Sequence, residues 1–440
     1  MKKKLLLVNP KIETQYRNFN FLPPISLGIL AALTPSHWEI DIVDENLEGI
    51  PKYEYDLVGI TTNTLNIQRA YNISGIFRQK SIPVIMGGCH ASAVPLESVN
   101  FSDSVVIGDA ESKWPVAIRD FENGDLHKTY SGIDSSFDYI SPDVSHFKNK
   151  YVFDAVETSR GCNNNCSYCG VHVPYRRPYK RKPLEMLISE LQNSKNPYVF
   201  FIDNNFYGND DEYLYLLFEE MIRKKLKKTW QTGVSESFFK NNELVKLAAK
   251  AGAKMFFVGF ESDTTVSLNE LNKNNFPSTR DIFSEYKKII NLCHSNSIMV
   301  SGNYMIGIEN DTEESIKNRT EFFSNLNLDV CASVILTPLP NTVVFKKYQQ
   351  EGRLIYTDFP VDWKNYYYGR SLIKHDNLKN ERIEELTKQN NKLFRITFSK
   401  IVKSLWTTRS VKGFILYYYY CFFFANYKNR KLEKIINFLK

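Results

Sequence analysis

The sequence predicts an α/β protein with a doubly wound parallel sheet first, then a partial (β/α)6 barrel, then a helical C-terminal region. Three observations carry that prediction. Short apolar runs of strand length alternate with helix-like stretches twice along the chain. A polar stretch divides the two series, and after Arg353 the alternation fades into a mixed, aromatic and basic segment. At 440 residues with 43% apolar content, the chain can bury real cores in two or three domains, which excludes a disordered default.

The first series places strands at Lys4 to Val8, Trp38 to Val43, Leu57 to Thr61, Pro83 to Met86 and Ser104 to Ile107, with helices over Ile25 to Leu33 and Leu65 to Gln79. The opening Lys2-Lys3-Lys4 is followed by only four apolar residues before Asn9-Pro10, short of a signal peptide. It reads as a first buried strand of a cytoplasmic protein. Ligands of such sheets sit beyond the carboxyl ends of the strands, which here carry Thr61-Thr62-Asn63, Gly87-Gly88-Cys89-His90 and Gly108-Asp109-Ala110-Glu111. The glycine pair permits a close backbone approach, although a plain turn explains Gly-Gly as well. Phe121 to Lys150 is polar with little periodicity and reads as connecting chain, which sets the first domain at 1–140 and a linker at 141–150.

The second series, 151–350, has strands near Val152 to Thr158, Tyr198 to Ile202, Thr229 to Val234, Met255 to Phe260, Ile298 to Ile306 and Ala332 to Thr337. Helices are expected over Pro183 to Asn193, Glu212 to Lys227, Asn242 to Ala251, Thr279 to Ser295 and Glu313 to Asn325. Catalytic groups of such barrels stand at the carboxyl ends of strands. Those ends read Ser159-Arg160-Gly161-Cys162, Asp203-Asn204-Asn205, Ser235-Glu236-Ser237, Glu261-Ser262 and Gly307-Ile308-Glu309.

Seven cysteines cannot all pair, and three of them lie within eight residues, where short-range disulfides are sterically awkward. Cys162-x3-Cys166-x2-Cys169 follows a predicted strand directly, in a loop carrying Gly161 and Asn163-Asn164-Asn165. A four-iron cluster normally takes four protein thiolates, so three leave one iron open to bind and activate a substrate. Zinc is the competing ligand, because His172 completes a set of three cysteines and one histidine. On that alternative the chain is a non-catalytic metal-binding interaction protein.

With these residues in place, the sequence resembles the radical S-adenosylmethionine (SAM) superfamily, whose Cys-x3-Cys-x2-Cys loop after the first barrel strand is matched by Cys162, Cys166 and Cys169, with the aromatic Tyr168 before the last cysteine. The resemblance implies a 4Fe-4S cluster that cleaves SAM reductively to a 5′-deoxyadenosyl radical, with flavodoxin or ferredoxin as electron donor. It also implies that Asp203-Asn204 meets the amino end of SAM, that Glu261 lies near its ribose, and that Ser235 and Glu236 complete the pocket. A doubly wound, Rossmann-like domain ahead of the barrel is similar to the cobalamin-binding branch. So are Pro23-Pro24-Ile25-Ser26-Leu27-Gly28, Gly87-Gly88-Cys89-His90-Ala91-Ser92, Leu339-Pro340-Asn341-Thr342 and Glu351-Gly352-Arg353-Leu354. Residues 1 to about 355 are covered. Thr61, Gly87, Gly88 and His90 then become candidate cobalamin contacts. No Asp-x-His-x-x-Gly follows the first strand, where Asn9-Pro10-Lys11-Ile12-Glu13 stands, so no histidine is offered there as lower cobalt ligand.

The chemistry the branch implies is methyl transfer to an unactivated carbon of a lipid-like or secondary-metabolite substrate, with a radical cyclase, oxidase or epimerase as the alternative. From Lys400 to Lys440 nine Lys or Arg face one acid, so the remaining 399 residues sum to −1 and the basicity belongs to the tail, within the C-terminal region 351–440. Phe414 to Phe424 holds eight aromatics in eleven residues, too few to span a bilayer. The segment suits either an interfacial helix on anionic lipid, a peripheral membrane contact, or a helix packed over the barrel mouth. Nucleic acid is a weak partner, since no second cysteine cluster for sulfur insertion into tRNA is present.

Overall fold

The computed structural model describes residues 2–12, 21–52, 54–133, 138–148, 151–173, 178–273, 281–394 and 406–407. They divide into two compact units: one of 1–155, 168–177 and 337–367, and one of 156–167, 178–336 and 368–440.

The first unit is built on β1 (Lys3–Asn9), β2 (Trp38–Asp44), β3 (Leu57–Thr61), β4 (Val84–Gly87), β5 (Ser104–Ile107) and β6 (Thr129–Ser131), in the order β2-β1-β3-β4-β5-β6. Every pairing is parallel. Leu5 to Val8 are fully buried, as a strand covered by helices on both faces requires, and this is why β1 reads as an unbroken apolar run. The strand order reverses between β1 and β3, which makes their carboxyl ends the crevice where sheets of this kind take a ligand. One core of this unit gathers Leu5, Leu7, Leu27, Ile42, Leu57, Ile85, Val106 and Trp114.

β6 corrects the reading of 121–150 as connecting chain. It joins the sheet edge through Val105, Val106 and Ile107, but only its Tyr130 is buried while Thr129 and Ser131 are exposed. A three-residue edge strand has no apolar alternation to announce it. The segment 337–367 also belongs to this unit. There Phe345, Phe359, Trp363 and Tyr366 pack ring to ring, and the Trp363 indole N–H donates to Glu97 at 3.0 Å.

In the second unit, β7 (Asp154–Val156) runs into the short β8 (Ser159–Arg160), which pairs antiparallel with β9 (Lys180–Arg181). The main sheet is completed by β10 (Tyr198–Phe201), β11 (Thr229–Val234), β12 (Ala253–Glu261), β13 (Met299–Ile306) and β14 (Val330–Ile335), in the order β14-β13-β12-β11-β10-β7. This is the expected open six-strand barrel, with a helix after each of β10 to β13. The expected strand Val152 to Thr158 is instead β7 followed by β8, and a two-residue strand carries no periodic signal.

Alternate residues of these strands serve two different faces. Trp230, Phe256, Val258, Phe260, Val300 and Tyr304 join Leu214, Leu217, Phe218, Tyr286 and Phe323 in a core beneath the helices. Phe200 and Phe257, one residue out of phase, meet on the inner face with ring centroids 5.4 Å apart. The helix Asn380–Leu393 covers β14: the Asn391 side chain accepts from the Ser333 N–H at 2.8 Å and donates to the Ser333 carbonyl at 3.0 Å, closing a backbone edge. The aromatic stretch Phe414 to Phe424 lies outside the described residues.

Candidate active site

The barrel's carboxyl-end loops meet at the segment that enters the cysteines. Asp203, just after β10, is half-buried, with its carboxylate turned inward. Its Oδ1 accepts from the Thr158 N–H at 2.9 Å, the Thr158 hydroxyl at 3.1 Å, the Ser159 hydroxyl at 2.8 Å and the Ser159 N–H. Burial outweighs these donors and pushes the Asp203 carboxyl up to about 6. Its Oδ2 has no hydrogen-bond partner among the described residues. The Asn204 side chain accepts from the Gly161 N–H at 3.3 Å, where a φ of +84° turns the chain into the cysteine loop. Asn163 donates back to the Gly208 carbonyl at 2.7 Å.

Cys162, Cys166 and Cys169 are half-buried and in no disulfide, whereas Cys293 and Cys331 are buried in the core under the helices. The Asn164 N–H points at the Cys162 sulfur, 3.4 Å away, and burial pushes that thiol's pKa up. The loop is docked on the turn after the helix Thr265–Glu270, with the Ser167 N–H donating to the Leu271 carbonyl at 3.0 Å and Asn272 donating to the Asn165 carbonyl at 2.6 Å. Tyr168 is half-buried, and Cys169 leads into a single 3-10 turn, Gly170–His172. Among the described residues no three His, Cys, Asp or Glu side chains stand at the spacing of a single metal ion. A cluster that takes one thiolate per iron does not demand that spacing.

The docking turn delivers a residue that sequence reading missed. The Lys273 Nζ lies 3.5 Å from Glu236 and 3.6 Å from Glu261, and all three side chains are nearly buried. Burial works against the ammonium, but Glu261 and Glu236 more than offset it and hold its pKa above the ordinary lysine value. Glu261 itself has a φ of +65°, and its carboxylate folds over Gly259, where a Cβ would lie 2.2 Å from Oε1. The glycine of Gly259-Phe260-Glu261 is therefore a steric requirement of the glutamate's pose. Ser235, by contrast, pairs with the Ser237 hydroxyl at 2.8 Å. No spacing rule announces Lys273, because it meets Glu236 only through the fold.

Gln231 was also missed. In register with Phe200 on one side and Met255 on the other, it is fully buried, and neither end of its amide is hydrogen-bonded among the described residues. The Asn303 Oδ1 is another buried atom without a partner on this face.

In the first unit, the candidates Thr61, Gly87 and Gly88 stand where β3 and β4 end. Gly88 has a φ of +97°, and a Cβ there would lie 2.5 Å from the Thr62 carbonyl oxygen. Its need for glycine comes from packing on β3's own continuation. A Cβ on Gly87 would make only ordinary contacts. His90 is 1% exposed, shares a hydrogen bond of 3.1 Å between its Nδ1 and the Thr64 hydroxyl, sits edge-on to Trp363, and has Nε2 3.7 Å from Glu97. Burial holds its pKa below the ordinary value. The ring is thus enclosed by Thr64, Glu97 and Trp363.

The model of the radical SAM superfamily matches residues 156–323 of the chain. The bacteriochlorophyllide d C-8(2)-methyltransferase of Chlorobaculum tepidum is 26% identical over 379 residues, 80% of this chain and 81% of that protein. The hopanoid C-2 methylase of Rhodopseudomonas palustris is 23% identical over 383 residues, 81% and 72% of the two chains. Among solved structures, the cobalamin-dependent SAM radical enzyme OxsB, with aqua-cobalamin and SAM bound, superposes with a TM-score of 0.64 at 15% identity over 95% of this chain and 70% of that one. No helix among the described residues is long and apolar enough to cross a membrane.

Proposed function

The chain belongs to the radical SAM superfamily, in its cobalamin-domain branch, and on that premise we propose that it methylates an unactivated carbon of a lipid-like or secondary-metabolite substrate. The observation that carries this reading is the meeting of the cysteine loop with the Glu236–Lys273–Glu261 cluster at the carboxyl end of one barrel; the sheet of the first unit has, by itself, a strand order that leaves a crevice at β1 and β3.

The donor sets fit the cofactors. Three half-buried cysteines in one loop, none of them in a disulfide, suit a 4Fe-4S cluster with an open iron. Asp203 Oδ2, buried and without a partner, suits the SAM amino group, while Lys273 suits its carboxylate and Glu261 its ribose hydroxyls. Cobalamin would be held by backbone and small side chains at Thr61, Thr62, Gly87 and Gly88, with His90 packed beneath them on Thr64. SAM at a reduced cluster supplies a carbon radical, and cobalamin supplies a transferable methyl group.

The chain's own part is to bind, orient and exclude water. Glu236 and Glu261 keep Lys273 charged and fixed, so a carboxylate meets a preset cation. The apolar inner face, Phe200, Met255 and Phe257, favours a largely apolar substrate, and the Gln231 amide offers it one donor and one acceptor. The two named relatives act, by their names, on bacteriochlorophyllide d and on a hopanoid.

The test is the metal content of chain purified without oxygen from cobalamin-fed cells, followed by SAM turnover under a strong reductant. Iron with near-stoichiometric cobalt, and 5′-deoxyadenosine formation lost in Cys166→Ala, are expected. Zinc alone would overturn the assignment, and a product without the mass of a methyl group would turn it toward cyclase, oxidase or epimerase chemistry.

A further inference from the structure

The loop bearing the cysteines leaves the barrel at β8 and returns at β9, where one side chain reaches both the loop after β10 and Thr158. Arg181, on β9, has only 11% of its side chain exposed, and it spends all three guanidinium nitrogens on the loop after β10 and the start of the cysteine loop. Nη1 donates to the Phe206 carbonyl at 2.8 Å and toward the Thr158 hydroxyl at 3.4 Å. Nη2 donates to the Tyr207 carbonyl at 2.7 Å, and Nε donates to Asp210 at 3.1 Å. Its Cζ also lies over the rings of Tyr179 and Tyr213, 5.1 and 4.6 Å from their centroids.

The same two loops touch at a second place. Gly208 has a φ of +57°, and a Cβ there would fall 2.0 Å from the Tyr179 ring, so the loop after β10 lies flat on a residue that immediately precedes β9. Asp203, Asn204 and Asn163 add bonds between this loop and Thr158 to Gly161. One loop thus carries Asp203, the candidate for the amino end of SAM, and the other carries Cys162.

We propose that Arg181 is a positioning residue which sets the spacing between the cysteine loop and the Asp203–Asp210 loop, and through it the seat of SAM against the cluster. The inference rests on the cofactor reading above. Two carbonyls and a carboxylate in one plane need a forked, rigid donor; a lysine, as a point donor on a flexible stem, holds one of them at a time. A displacement of about 1 Å between two binding groups costs on the order of a hundredfold in a positioned reaction, and part of that loss appears in binding.

The probe is SAM itself, added to the anaerobically purified, cluster-loaded chain, with Arg181→Met and Arg181→Lys beside the wild type. Binding is read by equilibrium dialysis and by the change SAM induces in the electron paramagnetic resonance of the reduced cluster. Amide hydrogen exchange of residues 158–161 and 203–210 is followed in the metal-free chain. Both variants should bind SAM roughly tenfold or more weakly, alter the cluster signature, and lose amide protection in both loops together. Wild-type affinity in Arg181→Met, or full rescue by lysine, overturns the proposal. So does loss of iron in the variant with amide protection in both loops unchanged, whereas loss of iron with both loops loosened supports it. A wild-type chain that holds iron but shows no SAM-dependent signature faults the cofactor reading instead.

Discussion

Arg319→Met is expected to destabilise the barrel unit by about 3 kcal/mol, at the low end of what breaking a buried ion pair costs. Arg319 is 2% exposed on the helix Glu313–Ser324, and its guanidinium donates to Asp263 at 2.8 Å, to Asp311 at 2.8 and 3.0 Å, and to the Met305 carbonyl at 2.9 Å. Methionine keeps most of the volume, so the loss is electrostatic: two carboxylates remain in a low-dielectric interior without their cation. They are not wholly abandoned. Asp311 keeps the Ile308 N–H at 3.1 Å and the Ser315 hydroxyl at 3.2 Å, and Asp263 keeps the Ser262 hydroxyl at 3.2 Å, which places the figure at the low end. For a unit of this size about 3 kcal/mol corresponds to a fall in Tm of roughly 6–12 °C. Urea unfolding of the metal-free chain, followed by circular dichroism, measures it directly. Adding Asp311→Asn should recover part of the loss, because it removes a charge the first substitution left unpaired. Because Asp263 stands two residues after Glu261, SAM affinity should fall as well. A loss below about 1 kcal/mol, the scale of an exposed pair, would refute the reasoning.

Three further outcomes follow from other positions. Burial lifts Asp203 from 3.8 to about 6, so the folded chain holds that proton more tightly than the unfolded one. This group's contribution is fully present below about pH 4 and is lost as pH rises through about 6, up to about 3 kcal/mol. Asp203→Asn should remove that component from the pH dependence of urea unfolding, and an unchanged difference curve would show that the Thr158 and Ser159 donors cancel the burial. Trp230→Ala should cost about 3–5 kcal/mol, since the buried ring meets Phe201, Phe206, Phe218 and Phe256 and its N–H donates to the Ala251 carbonyl at 3.0 Å. Trp230→Phe should return most of this, and equal losses would mean the hydrogen bond dominates. Gly88→Ala forces a Cβ onto the backbone of Thr62 at a left-handed φ. We expect a loss above about 1 kcal/mol from the conformation alone, read by urea unfolding; a neutral result would show that β3 and β4 part easily.

The apolar runs gave the strands of both sheets to within a residue or two at most ends, from Leu57–Thr61 to Thr229–Val234, and the helix Ile25–Leu33 with its bounds. Strands buried on both faces must be continuous apolar segments, so their signal is local and survives in one dimension. The cysteine spacing is equally local, because three ligands in eight residues need no distant partner to be recognised. Whatever depends on two distant segments meeting was settled only in three dimensions. β6 became a strand because an edge was open beside β5, not because Thr129-Tyr130-Ser131 favours one. His90, reachable by sequence logic as a cofactor contact, is enclosed by Thr64, Glu97 and Trp363. Lys273 becomes part of a site only because a turn brings it between Glu236 and Glu261, and Arg181 only because the loop after β10 turns its carbonyls toward it. Periodicity and ligand spacing are properties of neighbouring residues, whereas electrostatic partners and backbone acceptors are chosen by packing.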